Sequence, residues 1–322
     1  MNILFCSAGR RAELLKNFRK SLSPGSRIIA TDMSPYAPAI YFSDKHYFVP
    51  AISDPTYVNQ IVEICRIEKI NAITTLIDPE IEILAKNREK FERMGVMVLA
   101  PDVETASICF NKYELFQHLK RFGIAVVNTY SSFDEAKSAI ENNSLSFPVF
   151  VKPRNGSGSV GARKIETIGD LNDACTADPS LIVQEFMDCP DIDVDIYIDA
   201  ITHEPVSIFT KRKLETKIGG ASKTVSFKDK AAIQFICETL KHFKFNGPID
   251  MDLFCRDGQY YLSEINPRFG GAYLHAYGAG VDFVKLIENN VAGLKNTPYF
   301  ENYEENTVMM MYDSVVVKRF EI

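Results

Sequence analysis

The 322-residue sequence lacks a run of about 18 apolar residues, the length that a membrane-spanning helix requires. Its first residues, Met-Asn-Ile-Leu-Phe-Cys, lead directly into a strand-like run and do not have the layout of a signal peptide. The net charge of -6 shows none of the basic excess that a general nucleic-acid binder carries. We therefore expect a cytoplasmic protein that binds neither membranes nor nucleic acid.

Cysteine and histidine are too scattered to suggest a metal centre or a nucleophile. The seven cysteines include no C-x-x-C pair and are odd in number, which favours free thiols over disulfides or zinc. The five histidines are dispersed, and the sequence shows no Ser-His-Asp or Cys-His set. The chemistry should therefore not depend on a nucleophilic side chain.

What is present is an ordinary globular composition, 46% apolar and 24% charged, in a chain long enough for two or three domains. Residues 1–108 alternate short apolar runs with amphipathic stretches, which predicts βαβ units and a parallel sheet. The loop after the first run, Cys6-Ser-Ala-Gly-Arg-Arg11, should lie at the sheet edge where such folds bind ligands. Its two arginines, Arg10 and Arg11, could hold an acidic substrate or be solvated. The loop lacks G-x-G-x-x-G, which disfavours an NAD site even though Asp32 ends the second run.

Residues 248–266 predict a β-hairpin, because two strand-like runs flank an Asp257-Gly258 turn signal. Side chains repeat with period two along a strand, so Glu264 and Asn266 should share one face. A two-residue turn would point Asp252 away from that face. A three-residue loop over 256–258 would pair Asp250 with Glu264 and place Asp252 on the same face, and we predict this loop.

Carboxylate and amide oxygens on one strand face suit Mg²⁺, which takes one or two carboxylates together with substrate phosphates. Arg268, just beyond Pro267, adds a planar cation that suits a phosphate or carboxylate oxygen. The alternative for this hairpin is a solvated acidic face without a ligand.

The stretch 147–165 carries a lysine inside an apolar run and a loop rich in glycine and serine. Lys152 would be half-buried, and a half-buried ammonium needs an anionic partner. The glycines let backbone N–H groups approach phosphate oxygens closely, and the serines add hydroxyl donors. These loop residues are Gly156, Ser157, Gly158, Ser159 and Gly161. The G-K-[ST] of a Walker A loop is absent, and a flexible hairpin tip is the alternative.

Two further stretches are strongly charged. Aspartates alternate with apolar residues over 191–199, which predicts a half-exposed strand whose acids are mostly solvated. Residues 210–224 concentrate five basic side chains, Arg212 among them, in a loop-like stretch that suggests either anion binding or a solvated loop.

Taken in order, several motifs resemble the ATP-grasp superfamily, in particular modules like the carbamoyl-phosphate synthase large subunit and small carboxylate–amine ligases. These motifs are Asn111-Lys112, Phe150-Val-Lys-Pro153 with its glycine-rich loop, Gln184-Glu-Phe186, Asp252 and Glu264-Ile-Asn-Pro-Arg268. The resemblance covers essentially the whole chain and implies a mixed α/β and α+β fold. It implies a Rossmann-like pre-ATP-grasp domain at 1–108 and an ATP-grasp domain at 109–322, with subdomains of about 109–187 and 188–322.

The same resemblance implies roles for individual residues. Lys112 and Lys152 would contact ATP phosphates, and the loop 156–161 would close over them as a lid. The adenine would be held by Gln184, Glu185 and Phe186, and the ribose by Asp191 or Asp193. Two Mg²⁺ ions, or Mn²⁺ in their place, would be bound by Asp252, Glu264 and Asn266. Catalytic contacts to the transferred phosphoryl group would come from Arg268, Lys152 and Arg212.

The implied activity is an ATP- and Mg²⁺-dependent ligase that activates a carboxylate as an acyl phosphate for attack by an amine. Its partners would be small-molecule carboxylate and amine substrates, and a homodimer is one option for its assembly. The alternatives are phosphorylation of bicarbonate or carbamate, as in carbamoyl-phosphate synthesis, and an ATP-binding sensor without turnover.

Overall fold

The structure, a computed structural model, describes residues 1–156, 158, 160–217 and 220–320. In these ranges the strands form one parallel and two antiparallel sheets. Each sheet is built from strands that follow one another in the sequence. None of the helices within them has both the length and the apolar character needed to cross a membrane.

The first sheet is parallel, as the alternating pattern predicted. Its strands are β1 (Asn2–Cys6), β2 (Arg27–Asp32), β3 (Lys45–Phe48), β4 (Ala72–Thr75) and β5 (Met97–Val98). Their order is β3-β2-β1-β4-β5, so the chain runs outwards from β1 in both directions. The loops that follow β1 and β4 therefore meet at the carboxyl edge, the topological switch point where open α/β sheets bind ligands.

Helices cover both faces of this sheet and bury its apolar strands. They are α1 (Ala12–Ser21), α2 (Tyr57–Glu68), α3 (Asp78–Lys86) and α4 (Arg88–Glu92), with a 3-10 turn at Pro38–Phe42. On one face Phe5 and Phe18 share a core with Phe269 and Tyr273, which lie far along the chain. The first sheet is thus packed directly against the last part of the protein. Two helices, α5 (Val103–Phe110) and α6 (Lys112–Arg121), lead to the second sheet.

The second sheet is small and antiparallel. Its strands are β6 (Thr129–Tyr130), β7 (Val149–Pro153), β8 (Arg163–Ile165) and β9 (Leu181–Glu185), in the order β6-β9-β7-β8. The helices α7 (Phe133–Glu141) and α8 (Ile168–Ala177) pack on the face that carries Val149 and Val151. Residues 154–162 connect β7 to β8, so the glycine-rich loop is the tip of a hairpin.

The third sheet has the order β14-β13-β10-β11-β12-β15 and is antiparallel throughout. Its strands are β10 (Asp191–Ile198), β11 (Pro205–Lys217), β12 (Gly220–Ser226), β13 (Gly247–Arg256), β14 (Gln259–Asn266) and β15 (Val308–Met310). The accompanying helices are α9 (Lys230–Leu240), α10 (Tyr273–Gly278) and α11 (Phe283–Val291). The expectation of a loop over 210–224 is wrong, because most of this stretch lies in β11 and β12.

The predicted three-residue loop between β13 and β14 is also wrong. Asp257 and Gly258 form a two-residue turn with φ of 53° and 79°, and Arg256 pairs with Gln259. Positive φ at both positions is the type I′ geometry whose twist matches that of the flanking strands. The register then shifts by one residue at Ser263, so that Asp252 pairs with Glu264 and not with Ser263.

Candidate active site

A β-bulge at Ser263 decides which side chains share the candidate metal face, the sheet face that carries Asp252, Glu264 and Asn266. Leu262 and Ile265 both belong to the core although they are three residues apart, which a regular strand does not allow. The extra residue turns Glu264 and Asn266 to the opposite face, where they lie across from Asp252 and Asp250. The predicted grouping of Asp252, Glu264 and Asn266 therefore exists, although its cause is the bulge and not the turn. The Leu262 and Ile265 spacing was the sequence signal for it.

Two lysines from the second part of the chain reach this face. Lys112, the first residue of α6, has its Nζ 3.8 Å from Glu264 Oε1, and Lys152 of β7 has its Nζ 3.5 Å from Glu264 Oε2. Burial and the neighbouring charge of Lys112 lower the pKa of Lys152, while Glu264 opposes this shift. The two ammonium groups thus face one carboxylate with little solvent around them, an arrangement suited to a polyanionic ligand.

The structure also brings Lys213 to the site, a member of the basic stretch 210–224 that was not predicted as a site residue. Its Nζ lies 2.5 Å from Asp252 Oδ1 and 3.0 Å from Asp191 Oδ1. Burial opposes the charged lysine, but the carboxylates of Asp252 and Asp191 outweigh it and raise the pKa of Lys213. Its ammonium occupies a cation position between two oxygen ligands.

Arg212, a predicted catalytic residue, is not brought to this site. It pairs with Ile192, whose side chain lies in the core on the other face of the sheet. Its guanidinium is 5.0 Å from the centre of the Phe227 ring. Because side chains alternate along a strand, the lysines on either side of Arg212 are the ones that reach the site.

Deeper in the same sheet lies an inner charge layer formed by Asp193, Asp195, Asp250 and Lys211. Lys211 is fully buried, with its Nζ 2.7 Å from Asp193 Oδ1 and in a short contact with Asp195. Burial raises the pKa of both aspartates, and Lys211 opposes this shift. Burial and the nearby charge of Asp193 raise the pKa of Asp250 to about 7. The expectation that most acids of this strand are solvated is therefore wrong for Asp193 and Asp195.

The acids nearer the solvent form an outer charge layer with Lys213, namely Asp191, Asp252 and Glu264. The side chain of Asp191 is 34% exposed, whereas that of Asp193 is 6% exposed and held by Lys211. Of the two candidates for a ribose contact, Asp191 is therefore the accessible one. Burial raises the pKa of Asp252 but the ammonium of Lys213 outweighs it, so this carboxyl has a pKa below its usual value.

Arg268 lies at the end of the metal face and joins two parts of the molecule. Its Nε donates to Asp78 Oδ1 over 2.9 Å, and its Nη1 donates to Asp250 Oδ2 over 2.9 Å. Burial disfavours the charged guanidinium, but Asp78 and Asp250 outweigh this and raise the pKa of Arg268. Arg11 does not point to open solvent either, because its guanidinium donates to the carbonyl oxygens of Phe269 and Gly270 over 3.2 and 2.6 Å.

The three residues predicted to hold adenine lie at the end of β9. Gln184 is buried, and its Nε2 donates to Thr129 Oγ1 over 2.8 Å. Glu185 forms an ion pair with Arg256 of β13, which ties the second sheet to the third. Phe186 packs with its ring 4.9 Å from the Nζ of Lys164.

The glycine-rich loop approaches the lysines of the site. Its glycines all have positive φ, with values of 110°, 72° and 76° for Gly156, Gly158 and Gly161. The carbonyl oxygen of Gly156 accepts a 2.6 Å hydrogen bond from Lys112 Nζ. Ser157 and Ser159, which were predicted to add hydroxyl donors, lie outside the described residues.

Comparisons with known proteins agree with this arrangement. Residues 3–99 match the model of the PylC-like N-terminal domain, and residues 109–272 match the model of the ATP-grasp domain. A D-alanine–D-alanine ligase of Nitratiruptor is 25% identical over 227 residues, or 64% of this chain and 63% of that protein. The carbamoyl phosphate synthase large chain of Pseudothermotoga lettingae is 24% identical over 273 residues, or 79% of this chain and 24% of that protein. The chain thus spans less than two thirds of the length of either relative.

Among solved structures, N5-carboxyaminoimidazole synthetase from Staphylococcus aureus complexed with ADP has the same fold, with a TM-score of 0.75 at 17% identity. The match covers 93% of this chain and 79% of that one. The predicted fold class and the resemblance drawn from the motifs are both confirmed. Because the ATP-grasp model matches more than half of its residues, the chain belongs to the ATP-grasp family.

Proposed function

We propose that this protein is an ADP-forming ligase that uses ATP and Mg²⁺ to join a small-molecule carboxylate to an amine. The observation that carries the proposal is the grouping of Asp252, Glu264 and Asn266 on one sheet face, with Lys112 and Lys152 beside Glu264. The relatives named as D-alanine–D-alanine ligases support the same reaction class. The proposal includes the domain division at residue 108 and the two subdomains, 109–187 and 188–322.

The oxygen ligands fit a hard divalent cation. Asp252 and Glu264 are directly opposite each other, Asn266 is two residues further on the same face, and Mg²⁺ prefers such ligands. The ammonium of Lys213 already occupies a cation position against Asp252. Bound Mg²⁺ would neutralise phosphate charge and orient the β- and γ-phosphates, with Mn²⁺ as a substitute and two ions as the expected number.

The chain's own residues would then supply positive charge and exclusion of water. A carboxylate oxygen attacks the γ-phosphorus and ADP leaves; the amine then attacks the acyl carbon, and phosphate departs as a proton is lost. Lys112, Lys152 and Arg268 would neutralise charge on the transferred group, so positioning and electrostatics carry the catalysis. The loop 156–161 would close over the acyl phosphate and protect it from hydrolysis.

The nucleotide would extend from this point towards β9. Gln184, Glu185 and Phe186 lie at the end of that strand. Asp191 is accessible on β10, which is the next strand along the chain and belongs to the third sheet. We assign adenine to the first three and the ribose to Asp191. Ser157 and Ser159 remain proposed donors to the phosphates.

A second candidate is the phosphorylation of bicarbonate or carbamate by the same site. It is favoured by the similarity to a carbamoyl phosphate synthase large chain over 79% of this chain. The phosphoryl-transfer residues would be the same, and only the acceptor would differ. ADP release that depends on bicarbonate and needs no organic carboxylate would select this candidate.

The test is a screen for ADP release over paired carboxylates and amines, followed by mass determination of the product. Glu264→Ala should abolish ADP release with the productive pair, because it removes the carboxylate between the two lysines. Glu238→Ala is the matched control, since this acid pairs with Lys241 on an exposed helix surface. Turnover by Glu264→Ala equal to the wild type would refute the assignment. Tight ATP binding without ADP release by the wild-type protein would favour a sensor.

A further inference from the structure

We propose that Asp78 of the first domain is a positioning residue that holds Arg268 in the orientation required for phosphoryl transfer. This inference deepens the proposed function and rests on it. It assigns the first domain an indirect part in the chemistry, through Arg268, in addition to any role in binding substrates.

The position of Asp78 follows from the topology of the first sheet. It is the first residue of α3 and comes shortly after β4, at the switch point of the sheet. Asp78 follows the N-cap residue Ile77, and a carboxylate in the first turn of a helix is favoured by the helix dipole without a specific hydrogen bond. Both carboxylate oxygens of Asp78 accept hydrogen bonds from Arg268. The carboxylate therefore binds a residue of another domain.

The guanidinium of Arg268 donates four hydrogen bonds within the protein. Nε and Nη2 donate to the two oxygens of Asp78 over 2.9 and 3.3 Å, and Nη1 donates to Asp250 Oδ2 and to the carbonyl of Phe269 over 2.9 and 3.1 Å. A guanidinium has five N–H groups, so within the residues that the structure describes one N–H on Nη2 remains for a ligand. The two-pronged contact with Asp78 fixes the plane in which this last donor lies.

The guanidinium of Arg268 lies beside the metal face, because its Nη1 donates to Asp250, the residue that pairs with Asn266. Asp78 lines the same cleft as Lys112, Gly156, Glu264 and Asn266, and Arg268 follows Asn266 by two residues. The phosphoryl-transfer residues and the first domain therefore meet at this point. A small rotation of the guanidinium would turn the free N–H away from a transferred group.

A second contact from the first domain holds the same segment. Arg11, which follows β1, donates to the carbonyls of Phe269 and Gly270, so both switch-point loops grip the residues after Asn266. Burial lowers the pKa of Arg11 to about 10. Arg11 thus holds the backbone after Arg268, and Asp78 holds its guanidinium.

The test compares kcat and KM for ATP in Asp78→Asn and in the wild type, with the productive pair from the ADP-release screen. Asparagine keeps the size of the side chain but loses the charge and one of the two acceptors. We expect kcat to fall roughly 100-fold, as a misplaced catalytic group does, while KM for ATP changes by less than about threefold. Asp78→Glu, which keeps the charge but moves it, should also lower kcat.

The matched control is Glu288→Gln, which weakens another contact between the same two parts of the molecule. Glu288 of α11 accepts from the backbone N–H and the hydroxyl of Ser23, far from the site. This variant should keep its kcat. In the double variant Asp78→Asn with Arg268→Lys, kcat should fall no further than in Arg268→Lys alone, because the two residues act as one unit.

Three results would overturn the inference. Unchanged kcat in Asp78→Asn would show that Arg268 needs no such partner. A lower KM for the carboxylate at unchanged kcat would show that Asp78 competes with the substrate for Arg268. Equal losses of kcat in Asp78→Asn and Glu288→Gln would show that the ion pair between Asp78 and Arg268 only holds the two domains together. An active wild type with any of these results leaves the proposed function standing, whereas a wild type that releases no ADP overturns both.

Discussion

The inner and outer charge layers share the strands β10, β11 and β13, to which the outer layer adds Glu264 of β14, yet the two layers differ in burial. Lys211 is fully buried between Asp193 and Asp195, whereas Lys213 is 14% exposed and bridges Asp252 and Asp191. A buried ion pair cannot exchange partners without leaving a charge unpaired in a medium of low dielectric constant. The outer pairs can exchange a partner for a ligand, because water reaches them. Burial therefore separates permanent charge pairs from replaceable ones.

The largest difference between the two layers is expected when the lysine of each layer is replaced, beginning with Lys211 of the inner layer. Lys211→Met should lower the free energy of unfolding by about 3–5 kcal/mol, since it leaves two buried aspartates without their cation. Lys213→Met, the matched variant in the outer layer, should lower it by less, because the side chains of Asp191 and Asp252 are 34% and 27% exposed and water can solvate them. Urea unfolding of both variants measures the difference. Similar losses for the two would contradict the division into layers.

A smaller effect is expected where the backbone passes over the inner layer. A Cβ added to Gly270 would lie 2.6 Å from Asp250 Oδ1 and 2.7 Å from Asp195 Oδ1, closer than atoms can approach. Gly270→Ala should therefore cost about 1–3 kcal/mol of unfolding free energy, typical of overpacking. A Cβ on the neighbouring Gly271 would meet nothing within 4 Å, so Gly271→Ala should leave the unfolding curve unchanged. Equal stability of the two alanine variants would show that the inner layer yields easily.

A third effect is a pH dependence at His275, a buried residue whose pKa is also affected by the charge of Lys211. Burial, and then the charge of Lys211, lower the pKa of His275 to about 4. The unfolded chain binds the proton more readily, so between pH 6.5 and 4 the stability contributed by the neutral histidine is lost as the pH falls. In His275→Asn the unfolding free energy should vary less across this window. His203→Asn, the same substitution at an exposed position, is the matched variant.

The sequence predicted much of the fold and of the outer layer. Period-two alternation brought Glu264 and Asn266 together, and apolar runs gave the parallel sheet. The inner layer was missed, because alternation shows which side chains share a face but not how deeply other elements cover that face. Arg212 was predicted at the site in place of Lys213 because the basic stretch was not recognised as a strand. Without the strand, the sequence does not show which of two neighbouring side chains points to the site. Asp78 and Arg268 are 190 residues apart, and nothing local connects them.

The bulge at Ser263 makes the turn and the site independent of each other. In a regular hairpin the number of turn residues sets the phase of every later pair, so a tight turn and a chosen set of facing side chains compete. One unpaired residue resets that phase halfway along the strand. The turn can then be selected for rigidity alone, and Asp257-Gly258 can keep its compact geometry while Asp252 still faces Glu264. In this hairpin, the extra residue Ser263 lets a tight turn and the facing pair of Asp252 and Glu264 occur together.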